Sequence, residues 1–142
     1  MSDPLYARDL LRLAANAVGA GRLDPCDAEG HAHNPTCGDR VAVTLRLDSA
    51  GRISAIAHET QACVLAQASA SILGSHLAGA DAAAVQSLRG QVTAMLRSGK
   101  NPLAPFDDYS ALTGAAQHRN RHSCVLLPID AVLDALSVNR IS

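Results

Sequence analysis

The hydrophobic period of this chain changes once, at Cys63, and that change narrows the folds open to it. Before Cys63, Val41, Val43, Leu45 and Leu47 alternate with other residues, Asp48-Ser49-Ala50-Gly51 supplies a turn, and residues 52–58 extend again through Ile53 and Ile56. A period of two on both sides of a turn is the pattern of an antiparallel hairpin. After Cys63, Val64, Leu65, Ala68, Ile72, Leu73 and Leu77 share one broad helical face, and Val85, Leu88, Val92, Met95 and Leu96 repeat the pattern up to Gly99. A sheet followed only by helices predicts an α+β fold and argues against a βαβ arrangement.

The flanking segments complete this expectation. Asp3 followed by Pro4 opens a helix over residues 3–18, which Gly19-Ala20-Gly21 ends. Residues 28–34 are compatible with a short edge strand. Residues 98–108 contain Pro102 and Pro105 and read as a loop, and Asp108 is placed to cap a short helix over 109–117. The last helix is expected over 129–136, with Pro128, which has no N–H to donate, in its first turn. That puts Cys124 at or just before the helix start. The expected architecture is an N-terminal helix, a small three-stranded antiparallel sheet and a C-terminal set of helices packed on it. Residues 1–142 would form one domain, long enough to bury a core.

Charge and composition remove several function classes. Twelve Lys and Arg against 13 Asp and Glu leave a formal net charge of −1, without the positive surplus that nucleic acid or an anionic membrane would require. The aromatic residues are Phe106, Tyr6 and Tyr109, with no Trp, too few for a base-stacking platform. There is no apolar run of spanning length, and Asp3, Arg8 and Asp9 interrupt the N-terminus, so the expectation is a soluble cytoplasmic protein with no membrane partner. The four cysteines, Cys26, Cys37, Cys63 and Cys124, are widely and unevenly spaced. Uneven spacing at this length does not form a disulfide framework, which leaves metal or redox chemistry as their leading use.

Three of them occupy similar settings. Cys37 sits on a turn ahead of a strand, with Gly38 between it and Asp39; Cys63 lies where strand gives way to helix; Cys124 lies where loop gives way to helix. Helix N-termini favour thiolate over thiol, and three thiolates with Asp39 make a Cys3Asp set suited to zinc or to iron and sulfide. From residue types alone the plainer alternative stays open, because an isolated cysteine is often a small buried hydrophobe. Cys26 is read that way. His31 and His33 share one face if 28–34 is a strand, and are exposed polar residues in the first instance, with His33 also a candidate for contact close to the site. His122 is a candidate proton carrier or alternate ligand beside Cys124. Ser69 and Ser71 have no base partner in sight, which argues against a serine hydrolase.

The motifs taken together add to this. Asn34-Pro35-Thr36-Cys37-Gly38-Asp39, then Ala62-Cys63 with the small-residue run Ala68-Ser69-Ala70-Ser71, then Arg121-His122-Ser123-Cys124, resemble in order the three ligand motifs of the U-type iron–sulfur scaffold family (IscU, SufU and the N-terminal domain of NifU). The SufU-like branch resembles it most, because Ser123 stands where IscU has a histidine, Arg121 stands at the SufU arginine, and the interval from Cys63 to Cys124 is longer than in IscU. Thr60-Gln61-Ala62 replace the glycines usual before the second cysteine, which implies a reshaped loop at Cys63. The resemblance implies that Cys37, Asp39, Cys63 and Cys124 hold Zn2+ or a nascent [2Fe–2S] cluster, with Gly38, Arg121 and His122 close by. It implies a scaffold rather than an enzyme, passing clusters to apo iron–sulfur recipients. Its alternative is a zinc-dependent sulfurtransferase in which Cys37 accepts persulfide sulfur. The implied partners are a cysteine desulfurase and Suf-type assembly proteins.

Overall fold

Alternation along the first half produces a sheet with one apolar face. The computed structural model describes residues 8–35, 38–117 and 119–137, without the side chains of Ala116, Gln117 and Asn120. Strands β1 (Ala28–Asn34), β2 (Asp39–Leu47) and β3 (Ile53–Gln61) form an antiparallel sheet in the order β1-β2-β3. The register pairs Asn34 with Asp39 and Ala28 with Leu45 on one side of β2, and Arg40 with Gln61 on the other. Val41, Val43 and Leu45 are buried on the inner face. On the outer face the segment before β1 covers Thr44, whose Oγ1 accepts the Leu23 N–H at 3.0 Å.

Helix α1 (Arg8–Asn16) packs on α2 (Val64–His76), and α3 (Ala82–Ser98) packs on α4 (His122–Ser137). The expected start of α1 at Asp3-Pro4 lies outside the described residues. Gly99 ends α3 in the left-handed region, as the sequence predicts, and the Asp81 side chain, which the sequence reading did not single out, caps it by accepting the Ala84 N–H at 2.8 Å. Helix α4 lies across β1 and β2 and against α2. It comes so close to β1 that a Cβ at Gly30 would overlap Ala131 O and Ala135 N and stand 2.8 Å from Ala135 Cα.

Two expectations are corrected. Residues 106–117 form a 3-10 segment (Phe106–Gln117), which starts earlier than the short helix expected from 109. A single 3-10 turn (Arg119–Arg121) follows, and α4 then begins at His122, not at 129. Pro128 is therefore inside the helix, and Cys124 is within its first turn. An interior proline forfeits one rung of the helical ladder, about 3 kcal/mol in an isolated helix. Here Pro128, Ile129 and Val132 are all buried, and packing of this face outweighs the lost rung.

Candidate metal centre

The tight turn between β1 and β2 sets the first part of the site. Gly38 has φ +77° and its N–H donates to the Asn34 carbonyl at 2.8 Å. Nothing lies within 4 Å of where its Cβ would be, so glycine is required here for the backbone angle rather than for space. The turn delivers Asp39 as the first residue of β2. Cys37 lies outside the described residues.

Strand β3 runs on to Gln61, and Cys63 is the N-cap of α2, with extended backbone and no capping bond from its own side chain. Its carbonyl accepts the Gln67 N–H at 3.0 Å, and the Gln67 amide donates to the Ala62 carbonyl at 3.0 Å, fastening the loop that carries the thiol. The first turn of α2 contains no acidic residue. Asp39 supplies the negative charge, its Oδ2 accepting the Cys63 N–H at 3.4 Å.

Cys124 is only 1% exposed, and its Sγ lies 3.6 Å from the same Asp39 Oδ2. One carboxylate oxygen thus joins β2, α2 and α4. Ligand atoms of Asp39, Cys63 and Cys124 all fall within 4.8 Å of one another. Tetrahedral zinc, with bonds of about 2.3 Å to sulfur, sets neighbouring ligand atoms roughly 3.8 Å apart. A contraction on the order of 1 Å would close the group around such an ion, and two soft thiols with one carboxylate fit zinc or iron.

The other sequence candidates are arranged around this group. Arg121 closes the 3-10 turn ahead of α4 and His122 opens the helix, both half-buried. The Asn34 side-chain amide donates to Ser123 Oγ at 3.1 Å, tying the end of β1 to the residue before Cys124. This bridge escaped the sequence reading, although Asn34 begins the first motif. His31 and His33 are exposed on the outer face of β1, opposite the face of Gly30. His31 Nε2 lies 2.9 Å from Glu29 Oε2, and its backbone N–H donates to Asp134. Neither histidine joins the three-ligand group. Cys26 also stands outside it, half-buried ahead of β1.

A helix, an antiparallel sheet and trailing helices, with a carboxylate and two thiols gathered at their seam, have the architecture of U-type scaffold proteins. Residues 5–118 match the NifU-like N-terminal domain family, and the chain belongs to it. It is 27% identical over 117 residues to the iron–sulfur cluster assembly scaffold protein IscU of Streptococcus pyogenes serotype M1, covering 82% of this chain and 72% of that protein. Among solved structures it is similar to a NifU-like N-terminal protein from Brucella abortus, with TM-score 0.87 and 32% identity over 94% of this chain and 93% of the other. It shares the fold of a SufU scaffold protein from Fervidobacterium islandicum AW-1, with TM-score 0.81 and 20% identity over 96% of this chain and all of the other. No helix among the described residues is long and apolar enough to cross a membrane.

Proposed function

We propose that residues 1–142 act as one iron–sulfur cluster assembly scaffold domain, holding a nascent cluster or its metal precursor on Cys37, Asp39, Cys63 and Cys124. The observation that carries this reading is the meeting of the Asp39, Cys63 and Cys124 ligand atoms within 4.8 Å. Family membership gives the group its purpose. A cysteine desulfurase supplies sulfur, and apo iron–sulfur proteins receive the cluster. The hard carboxylate beside soft thiolates makes one bond of the set weaker than the rest, which suits cargo that must leave. Asp39→Ala is therefore expected to hold a reconstituted cluster longer than the wild type, followed as decay of its visible absorbance. Equal decay rates would refute the role given to Asp39.

A second reading is favoured by Arg121 and Ser123, the two positions at which the third motif resembles SufU rather than IscU. In it zinc is resident, and Cys37 is released to take sulfur within a Suf-type system. The Cys37 thiolate attacks the terminal sulfur of a desulfurase persulfide. A new S–S bond forms on Cys37 and the desulfurase cysteine leaves as thiolate, with no external oxidant consumed. Elemental analysis of protein purified without added iron separates the two. About one zinc per chain, with desulfurase stimulation lost in Cys37→Ala, supports the sulfur acceptor. Iron and sulfide bound in its place support the scaffold.

A further inference from the structure

We propose that Tyr109 is a positioning residue for the metal-binding group, acting through Ser69 to fix the two helices that carry Cys63 and Cys124. This rests on the reading of Asp39, Cys63 and Cys124 as a metal site. Tyr109 and Ser69 are both 0% exposed. Ser69 Oγ donates to the Val125 carbonyl at 2.7 Å and lies 2.7 Å from the Tyr109 hydroxyl. A serine hydroxyl has one proton. With that proton on Val125, Tyr109 must donate to Ser69, with the Ser69 carbonyl at 3.4 Å as a second, longer acceptor. Burial raises the Tyr109 pKa and keeps the phenol protonated, so the donor is always present.

The place of this chain of bonds gives it a purpose. Ser69 lies on α2, whose N-cap is Cys63, and Val125 follows Cys124 on α4. Pro128 has no N–H to give the Cys124 carbonyl four residues back, so the turn bearing this ligand lacks one of its own rungs. The bond from Ser69 supports the adjacent carbonyl from the other cysteine-bearing helix. Tyr109 in turn comes from the 3-10 segment between α3 and α4. That segment thereby braces the separation of the two helices that carry the thiols.

The test compares Tyr109→Phe, which deletes one hydroxyl, with Leu112→Val, which trims a buried apolar side chain of the same segment. Each protein is loaded with Zn2+ alone, and release to a chromogenic chelator is timed; the Co2+ forms are compared by their absorption spectra. Tyr109→Phe is expected to release zinc about tenfold faster and to shift the cobalt bands, as loss of a residue supporting the ligands does. Leu112→Val is expected to stay near the wild-type rate. Equal acceleration in both variants, or none in Tyr109→Phe, overturns the proposal. Amide exchange on the metal-free proteins supplies an arm independent of metal. Faster exchange over 124–130 in Tyr109→Phe, with 88–96 unchanged, supports the brace, and a uniform change or none refutes it. If the wild type binds neither ion, the metal reading fails by itself and the exchange result still decides the brace.

Discussion

Gly30→Ala is the sharpest test of how α4 is seated. The new methyl would overlap Ala131 O and Ala135 N and lie 2.8 Å from Ala135 Cα, all backbone atoms of a buried helix with no rotamer to escape into. To reach ordinary carbon–carbon contact the helix must retreat by roughly 1 Å. Overpacking of this kind typically costs about 1–3 kcal/mol, and rigid backbone on one side puts this site at the upper end, about 3 kcal/mol. Opposing it, replacing glycine restricts the unfolded chain and returns about 0.4–1 kcal/mol. A net loss of about 2 kcal/mol remains. For a chain of 142 residues that corresponds to a fall in melting temperature of about 4–8 °C. Far-UV circular dichroism melts in the presence of chelator measure it free of metal effects. Because Cys124 rides on the displaced helix, the variant should also hold zinc less well than its stability loss alone accounts for. A melting temperature unchanged or raised would show that α4 and β1 are not in the close contact described.

Two further expectations concern parts of the fold away from the cysteines. Asp81→Ala removes the side chain that caps α3 at 2.8 Å and should cost about 1 kcal/mol in chemical denaturation; a loss near zero would mean the cap is dispensable. His58 is buried, with Nε2–H donating to the Val18 carbonyl at 2.9 Å and Nδ1 accepting from Thr60 at 3.0 Å, and burial lowers its pKa from the ordinary 6.5. The unfolded chain therefore takes up this proton first. The neutral ring's contribution to stability is fully present above about pH 6.5 and is lost as pH falls towards the folded pKa. The wild type should lose more stability on acidification than His58→Gln does, and parallel pH curves for the two proteins would contradict this.

Local chemistry explains what the sequence disclosed. The hairpin was legible because Val41, Val43 and Leu45 need the same face, and a slip of one residue would expose all three. The end of α3 was legible because Gly99 meets a backbone requirement of its own, whereas the Asp81 cap, an equally local signal, went unread. The start of α4 was misplaced because Pro128 is a boundary signal only in a helix left to itself. Packing of its buried face and the distant hydroxyl of Ser69 carry the helix through. Asp39, Cys63 and Cys124 were legible as candidate ligands by residue type, and the family resemblance implied that they meet, but local patterning by itself did not. Asp39 meets residues 24 and 85 positions further along, and no local rule reports on contacts at such range. The same holds for the Asn34–Ser123 bridge.

Those long intervals have a thermodynamic consequence. An ion shared by Asp39, Cys63 and Cys124 would cross-link the chain, closing large loops whose entropy the unfolded state would otherwise keep. Loading would then raise the melting temperature in proportion to the logarithm of free metal concentration. Unloading would loosen the seam between the early sheet and the last helix at the moment the cargo departs. Handover and internal rigidity would thus be coupled through one carboxylate: whatever takes the cargo would also have to overcome the stiffness that the cargo gave its carrier.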